Sequence, residues 1–128
     1  MALFYTDSLV LAYSDVEAAK RWWMEAFDCE VVKVPADWDS RMASDVGLQL
    51  PGNEGPTILL NSKAEVEQAG YSKPSSLECV IFCRKLKKGH EQLTQRGVQA
   101  GPIQDGGDTE YFEIRDCEGN VIQVCREP

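Results

Sequence analysis

A strand that runs directly into an amphipathic helix occurs twice in this chain, at a spacing of roughly 70 residues, and no other feature limits the possible folds so strongly. In the first half a strand over residues 8–13 leads into Ser14-Asp15-Val16-Glu17. Ser14 with Glu17 three positions on makes a capping box, and Asp15 also suits a helix start. In the helix that follows, Val16, Ala19, Trp23, Ala26 and Phe27 fall at i, i+3, i+7, i+10 and i+11, one stripe facing a core. Trp22 lies about a quarter-turn off that stripe, at the core edge or in a subunit contact. Strands are expected over residues 29–34, 42–50 and 57–61. A polar loop carrying Trp38 follows the first of them, and the turn-rich Pro51-Gly52-Asn53-Glu54-Gly55-Pro56 joins the other two. A short helix over residues 62–70 and a linker over 70–76 end this half. The second half repeats it: a strand over 77–83, a helix over 86–96 with Gly97 as its C-cap, a short strand over 98–100 and a closing hairpin over 111–124.

The order is thus β-α-β-β-β twice, over residues 1–70 and 71–128 of one domain. Neither half can bury its sheet alone. Pairing the halves side by side, within one chain or across two, gives an α+β fold: a curved, mostly antiparallel eight-stranded sheet with the helices outside. Composition narrows the function. The net charge of −8 argues against nucleic acid, whose phosphates require clustered Lys and Arg, and favours cationic ligands. The one basic cluster, Arg84-Lys85-Lys87-Lys88, reads as a solvated helix face. No apolar run reaches membrane-spanning length and no basic-then-apolar leader opens the chain, so no membrane association and a cytoplasmic location are expected. Five cysteines, an odd number without a CxxC pair, read as reduced thiols.

The closing hairpin carries the chemistry. Glu118-Gly119-Asn120 is a turn signal between two β-prone runs. In the second run Ile122 and Val124 share one face, and Val121, Gln123 and Cys125 the other. Gln123 is therefore a polar side chain among apolar ones, satisfied by hydrogen bonds or waiting for a ligand. On the partner strand Glu113 is flanked on its own face by Tyr111 and Arg115. Two readings stand: a ligand-contacting set, or the wet face of an edge strand. Trp38 stands alone in its loop, as a lid that stacks on a flat ligand or as a surface anchor or subunit contact.

Arg115-Asp116-Cys117-Glu118-Gly119-Asn120-Val121-Ile122-Gln123 resembles the closing "RDPDGNVIE" of the vicinal oxygen chelate superfamily, which includes glyoxalase I, bleomycin-resistance proteins and extradiol dioxygenases. Residues 9–23 are similar to its opening strand and helix. Phe27-Asp28-Cys29-Glu30-Val31 stands where the family usually has "LGFEV", and Gln95-Arg96-Gly97-Val98 matches a frequent helix end. The resemblance implies the fold just described, a homodimer, and a metal-ligand set on inward strand faces. That set falls on Ser8, on Glu78 (or Ser76 if the linker shifts register) and on Gln123, the last usually a glutamate. Ser and Gln are poor ligands for first-row metals, which leaves Glu78 as the one strong donor. The only histidine, His90, falls on the inner or boundary side of its helix and reads as structural.

Two functions follow from the resemblance, and a third needs none. The first is a binding protein, a dimer that sequesters a small organic molecule such as an antibiotic, with no cofactor and with Trp38, Tyr111, Glu113, Arg115 and Gln123 as contacts. The second is a glyoxalase- or epimerase-type enzyme using Mg, Mn, Ni or Zn, with Glu78 and Glu113 as ligand or acid–base groups. The third is a domain with a degenerate cavity and no catalysis.

Overall fold

The computed structural model describes residues 3–6, 9–33, 46–52, 58–63 and 80–127. Among them the first module comprises β1 (Phe4–Tyr5), β2 (Leu9–Tyr13), α1 (Val16–Phe27), β3 (Glu30–Val32), β4 (Val46–Gln49) and β5 (Ile58–Ser62). The second comprises β6 (Val80–Cys83), α2 (Leu86–Gln95), β7 (Gln99–Ala100), β8 (Gln104–Asp105), β9 (Glu110–Arg115) and β10 (Val121–Arg126). The fold is α+β, with the βαβββ order present twice. The helix expected over 62–70 and the linker over 70–76 lie almost wholly outside the described residues.

Each module builds its sheet in the same way. β2-β5-β4-β3 and β6-β10-β9-β7 both run first, fourth, third, second strand, with the first and fourth parallel and the rest antiparallel. The strands form a four-stranded and a six-stranded sheet rather than one continuous eight-stranded sheet. Edge occupancy explains this: β1 pairs antiparallel with β6 through Phe4↔Cys83 and Tyr5↔Phe82, so the hydrogen-bonding edge that β2 would need is taken. β8, a further short strand on β9, was not expected either.

The stripe expected on α1 is the one buried: Ala19, Trp23, Ala26 and Phe27 face inward, with Val16 and Trp22 packed at the margin. Trp22 meets both Trp23 and Phe27 edge-on, which places it at the core edge. The helix start differs from the capping box. Asp15, not Ser14, is the N-cap, and its carboxylate accepts from the Ala18 backbone N–H at 3.1 Å. Glu17 turns instead to Lys20. The reason lies far along the chain, because the Ser14 and Asp15 amides are already bonded to Glu118. At the far end of α1, Asp28 has φ 57°, the left-handed conformation that the family's glycine adopts without cost. α2 ends as expected at Gly97, φ 83°: Gly97 N–H donates to Thr94 O and Val98 N–H to Leu93 O, a Schellman closure. Arg96 then ties the two helix ends together, donating to Ala26 O and to the Asp28 carboxylate, both at 2.7 Å.

One buried cluster draws on both modules: Trp23 and Phe27 from α1, Leu86 and Leu93 from α2, and the helix-facing residues of both sheets. Phe4 of β1 packs edge-on against Phe27 at 5.0 Å, so the first strand belongs to the second module's sheet and the first module's core. Among the described residues no helix is long and apolar enough to cross a membrane.

Candidate functional site

Strand alternation divides the six-stranded sheet into two unlike faces. Ile81, Cys83, Phe112, Ile114, Ile122 and Val124 are fully buried toward α2. His90 belongs to this side: its Nε2 lies 2.8 Å from Gly101 O, and its ring meets Phe112 edge-on at 4.9 Å, a structural role. The opposite face is half-buried, and the register arranges it in rows. Tyr5, Phe82, Cys125, Tyr111 and Gln104 form one row across five strands. Val80, Gln123 and Glu113 form the next, and Val121 and Arg115 the one beyond.

Both ends of this face are engaged internally. At one end Tyr5 stacks on Phe82 (5.4 Å, 27°), its hydroxyl donates to Glu127, and Arg84 lies over its ring while pairing with Glu127 at 3.0 Å. At the other, Arg115 is exposed and donates to Gly119 O across the turn. Tyr111 reaches sideways to Gln104. Between them, Gln123 and Glu113 stand directly opposite each other with Cβ atoms about 5 Å apart. Neither side chain has a hydrogen-bond or ionic partner among the described residues, although the neighbouring Glu110, Asp116, Glu118 and Glu127 are all engaged. Buried or half-buried polar groups are normally paired, and among the described residues of this face the carboxylate and the amide depart from that rule side by side.

The turn below this pair is heavily braced. The buried Asp116 carboxylate accepts from the Glu118 and Asn120 backbone N–H groups and from Asn120 Nδ2, at 2.8–3.0 Å. The Tyr13 hydroxyl near it accepts from Trp23 Nε1 at 3.0 Å. Burial first, and Asp116 second, push the Tyr13 phenol well above its ordinary range, so it stays protonated. Glu118 accepts from the Ser14 and Asp15 amides at 3.0 and 2.9 Å, with Lys63 3.6 Å away. Burial opposes its charge, but those two amides and Lys63 prevail and hold its carboxyl below the usual range. The hairpin turn of one module thus caps the helix of the other, at its positive dipole end.

Of the candidate residues, the structure brings together Tyr111, Glu113 and Gln123 and sets Arg115 at the rim. Ser8, Trp38 and Glu78 lie outside the described residues. Phe82 and Tyr5 were missed. Phe82 was within reach, since strand parity puts it opposite the Ile81 and Cys83 face, whereas Tyr5 needed the β1–β6 pairing. Counting back from the helix starts at Val16 and Leu86 makes Val10 and Val80 counterparts, and their partners Leu59 and Gln123 likewise. The first module thus offers an alkyl side chain where the second offers an amide. Its anomaly is Asn61, 5 % exposed on the face away from α1, whose Oδ1 lacks a partner among the described residues. On this face Gln123 gives a neutral oxygen, Glu113 across from it a carboxylate, and Leu59 at the matching place of the first module none, while Ser8 and Glu78, the other candidate ligands, lie outside the described residues. Among the described residues no three His, Cys, Asp or Glu side chains converge to hold one. A separate cleft of about 140 Å³ between the helix ends is lined by Phe4, Phe27 and Arg96 among others, but Arg96 is already committed there.

No protein-family model and no curated protein matches the chain. Solved structures match over almost its whole length. A glyoxalase/bleomycin resistance protein/dioxygenase superfamily member from Sphaerobacter thermophilus aligns with TM-score 0.72 at 22% identity, covering 96% of this chain and 97% of that one. A virulence protein from Salmonella typhimurium gives 0.64 at 19%, covering 97% of each. An integron cassette protein from V. cholerae gives 0.64 at 18%, covering 97% and 95%. At these identities the likeness establishes the fold: the chain has the vicinal oxygen chelate fold of the glyoxalase/bleomycin resistance/dioxygenase superfamily.

Proposed function

We propose that this protein binds a small organic molecule on the half-buried face of its six-stranded sheet and sequesters it, as a homodimer, without a metal and without turnover. The observation that carries this reading is the Glu113–Gln123 pair, without a partner among the described residues, in the middle of a face whose two ends are satisfied by the protein's own groups. An aromatic row beside the pair supplies apolar area, the usual make-up of a small-molecule site: mostly apolar surface with a few placed polar groups. Fold likeness to a superfamily whose name includes bleomycin resistance is consistent with an antibiotic as the occupant.

The test uses chelator-treated full-length protein in a thermal-shift and calorimetry screen of organic molecules, antibiotics included. A binder present at a hundredfold excess over its Kd should stabilise the protein by about 2.7 kcal/mol. Gln123→Leu, which copies Leu59 of the first module, should abolish that shift without lowering the stability of the unliganded protein. No stabilisation by any cavity-sized molecule sinks the reading. Stoichiometric uptake of Mg²⁺, Mn²⁺, Ni²⁺ or Zn²⁺ that is lost in Glu78→Ala replaces it with the metalloenzyme reading. Sizing checks the dimer.

A further inference from the structure

We infer, on the binding reading above, that the occupant is a planar organic cation whose ring lies along the Phe82–Cys125–Tyr111 row and whose protonated nitrogen meets Glu113 and Gln123 one row away. The row alternates large, small, large: two aromatic rings flank a cysteine on neighbouring strands, all three half-buried. A flat body fits the shallow step between the rings, where stacking and cation–π attraction act together. Adjacent strands lie about 4.8 Å apart, so the three residues span about 10 Å, the length of two or three fused rings.

The polar row selects charge. Glu113 is a carboxylate with no cationic partner among the described residues, whereas Glu110, Glu118 and Glu127 each have one. Arg115, two positions on along the same face, is turned to Gly119 O. Gln123 offers its carbonyl oxygen to a second N–H of the same group. An anionic ligand would meet an unshielded carboxylate at the centre of the face, in a chain of net charge −8. The Cys125 thiol, held neutral by burial, gives the ring a small apolar floor and makes a built-in reporter of occupancy.

Three fluorescent probes of similar shape test this at slightly basic pH: proflavine (planar cation), acridine (planar, neutral) and anthracene-9-carboxylate (planar anion). Proflavine should bind most tightly. Glu113→Gln, nearly isosteric, should weaken it about tenfold, the loss of one charge-assisted contact. Phe82→Leu should weaken it roughly fivefold. Glu91→Gln, the same charge change at an exposed site on α2, should leave it unaltered. Bound proflavine should slow alkylation of Cys125 but not of the exposed Cys117, read by peptide mass. Anthracene-9-carboxylate binding as tightly as proflavine, or Glu113→Gln leaving proflavine affinity unchanged, overturns the ligand class. If none of the three binds while another molecule from the screen does, and Gln123→Leu abolishes that binding, the class falls and the binding face stands. If nothing binds, both fall.

Discussion

The two modules have one topology and opposite interiors. Aligned on their helix starts, Val16, Ala19 and Trp23 of α1 correspond to Leu86, Gly89 and Leu93 of α2, all buried or marginal. The first module fills the space between helix and sheet with bulk on the helix. The second brings its helix closer: a Cβ on Gly89 would stand 2.5 Å from Cys83 Sγ and 3.1 Å from a Phe4 ring carbon. On the other side of the sheets the asymmetry reverses. Ala12 and Leu59 of the first module stand where the second has Phe82 and Gln123. Among the described residues one half of the repeat thus supplies more of the packing and the other the half-buried polar pair Glu113 and Gln123, although the chain path is the same in both.

That division is open to challenge by mutation. The largest effect is expected at Trp23. Trp23→Ala removes the largest fully buried side chain and the donor to Tyr13, and should cost about 3–5 kcal/mol by denaturant unfolding. Leu93→Ala, its counterpart, should cost about 2–3 kcal/mol; a larger loss there would move the weight of the core to the second module. The next effect is a pair of reciprocal changes. Ala19→Gly should cost about 1–2 kcal/mol, from helix propensity and the loss of a buried methyl. Gly89→Ala should gain that propensity and still lose about 1–2 kcal/mol net, because Cys83 Sγ and Phe4 must give way. Adding Cys83→Ala should recover most of the loss, and failure to do so would show that α2 does not sit as close as the contact implies.

The smallest effect concerns the join between modules. Glu118 has a lowered pKa in the folded state, so it stabilises the protein most above the ordinary carboxylate value of 4.5, and this contribution is lost as pH falls below that value through the folded one. Glu118→Gln should cost about 1 kcal/mol at neutral pH and should flatten the acid limb of the stability profile. An acid limb unchanged by the substitution would mean that the hairpin turn does not cap α1 through charge, and that the join rests on apolar packing, the β1–β6 pairing and Arg96.

Much of the fold was legible in the residues. Local rules were enough for α1, for the Gly97 closure and for the closing hairpin, because the period of burial and the turn residues act within a few positions. Strand parity likewise separated Gln123 from Ile122 and Val124. The capping box failed because it weighed only neighbours in sequence. The Ser14 and Asp15 amides are instead met by a carboxylate more than a hundred positions away, |i−j| = 104 and 103.

The sequence by itself therefore determined the period, the order of elements and which side of each strand a residue takes, since all three follow from backbone geometry over a few residues. Only the tertiary structure decided that β1 closes the edge of β6 and splits the strands into two sheets. It alone also decided which polar groups are satisfied. Glu118 and Glu127 find partners because the other module or a distant strand lies against them, while Glu113 and Gln123 have no side-chain partner among the described residues. Whether a carboxylate is a brace or a binding group depends on what stands across from it in space, and nothing in its immediate sequence carries that information.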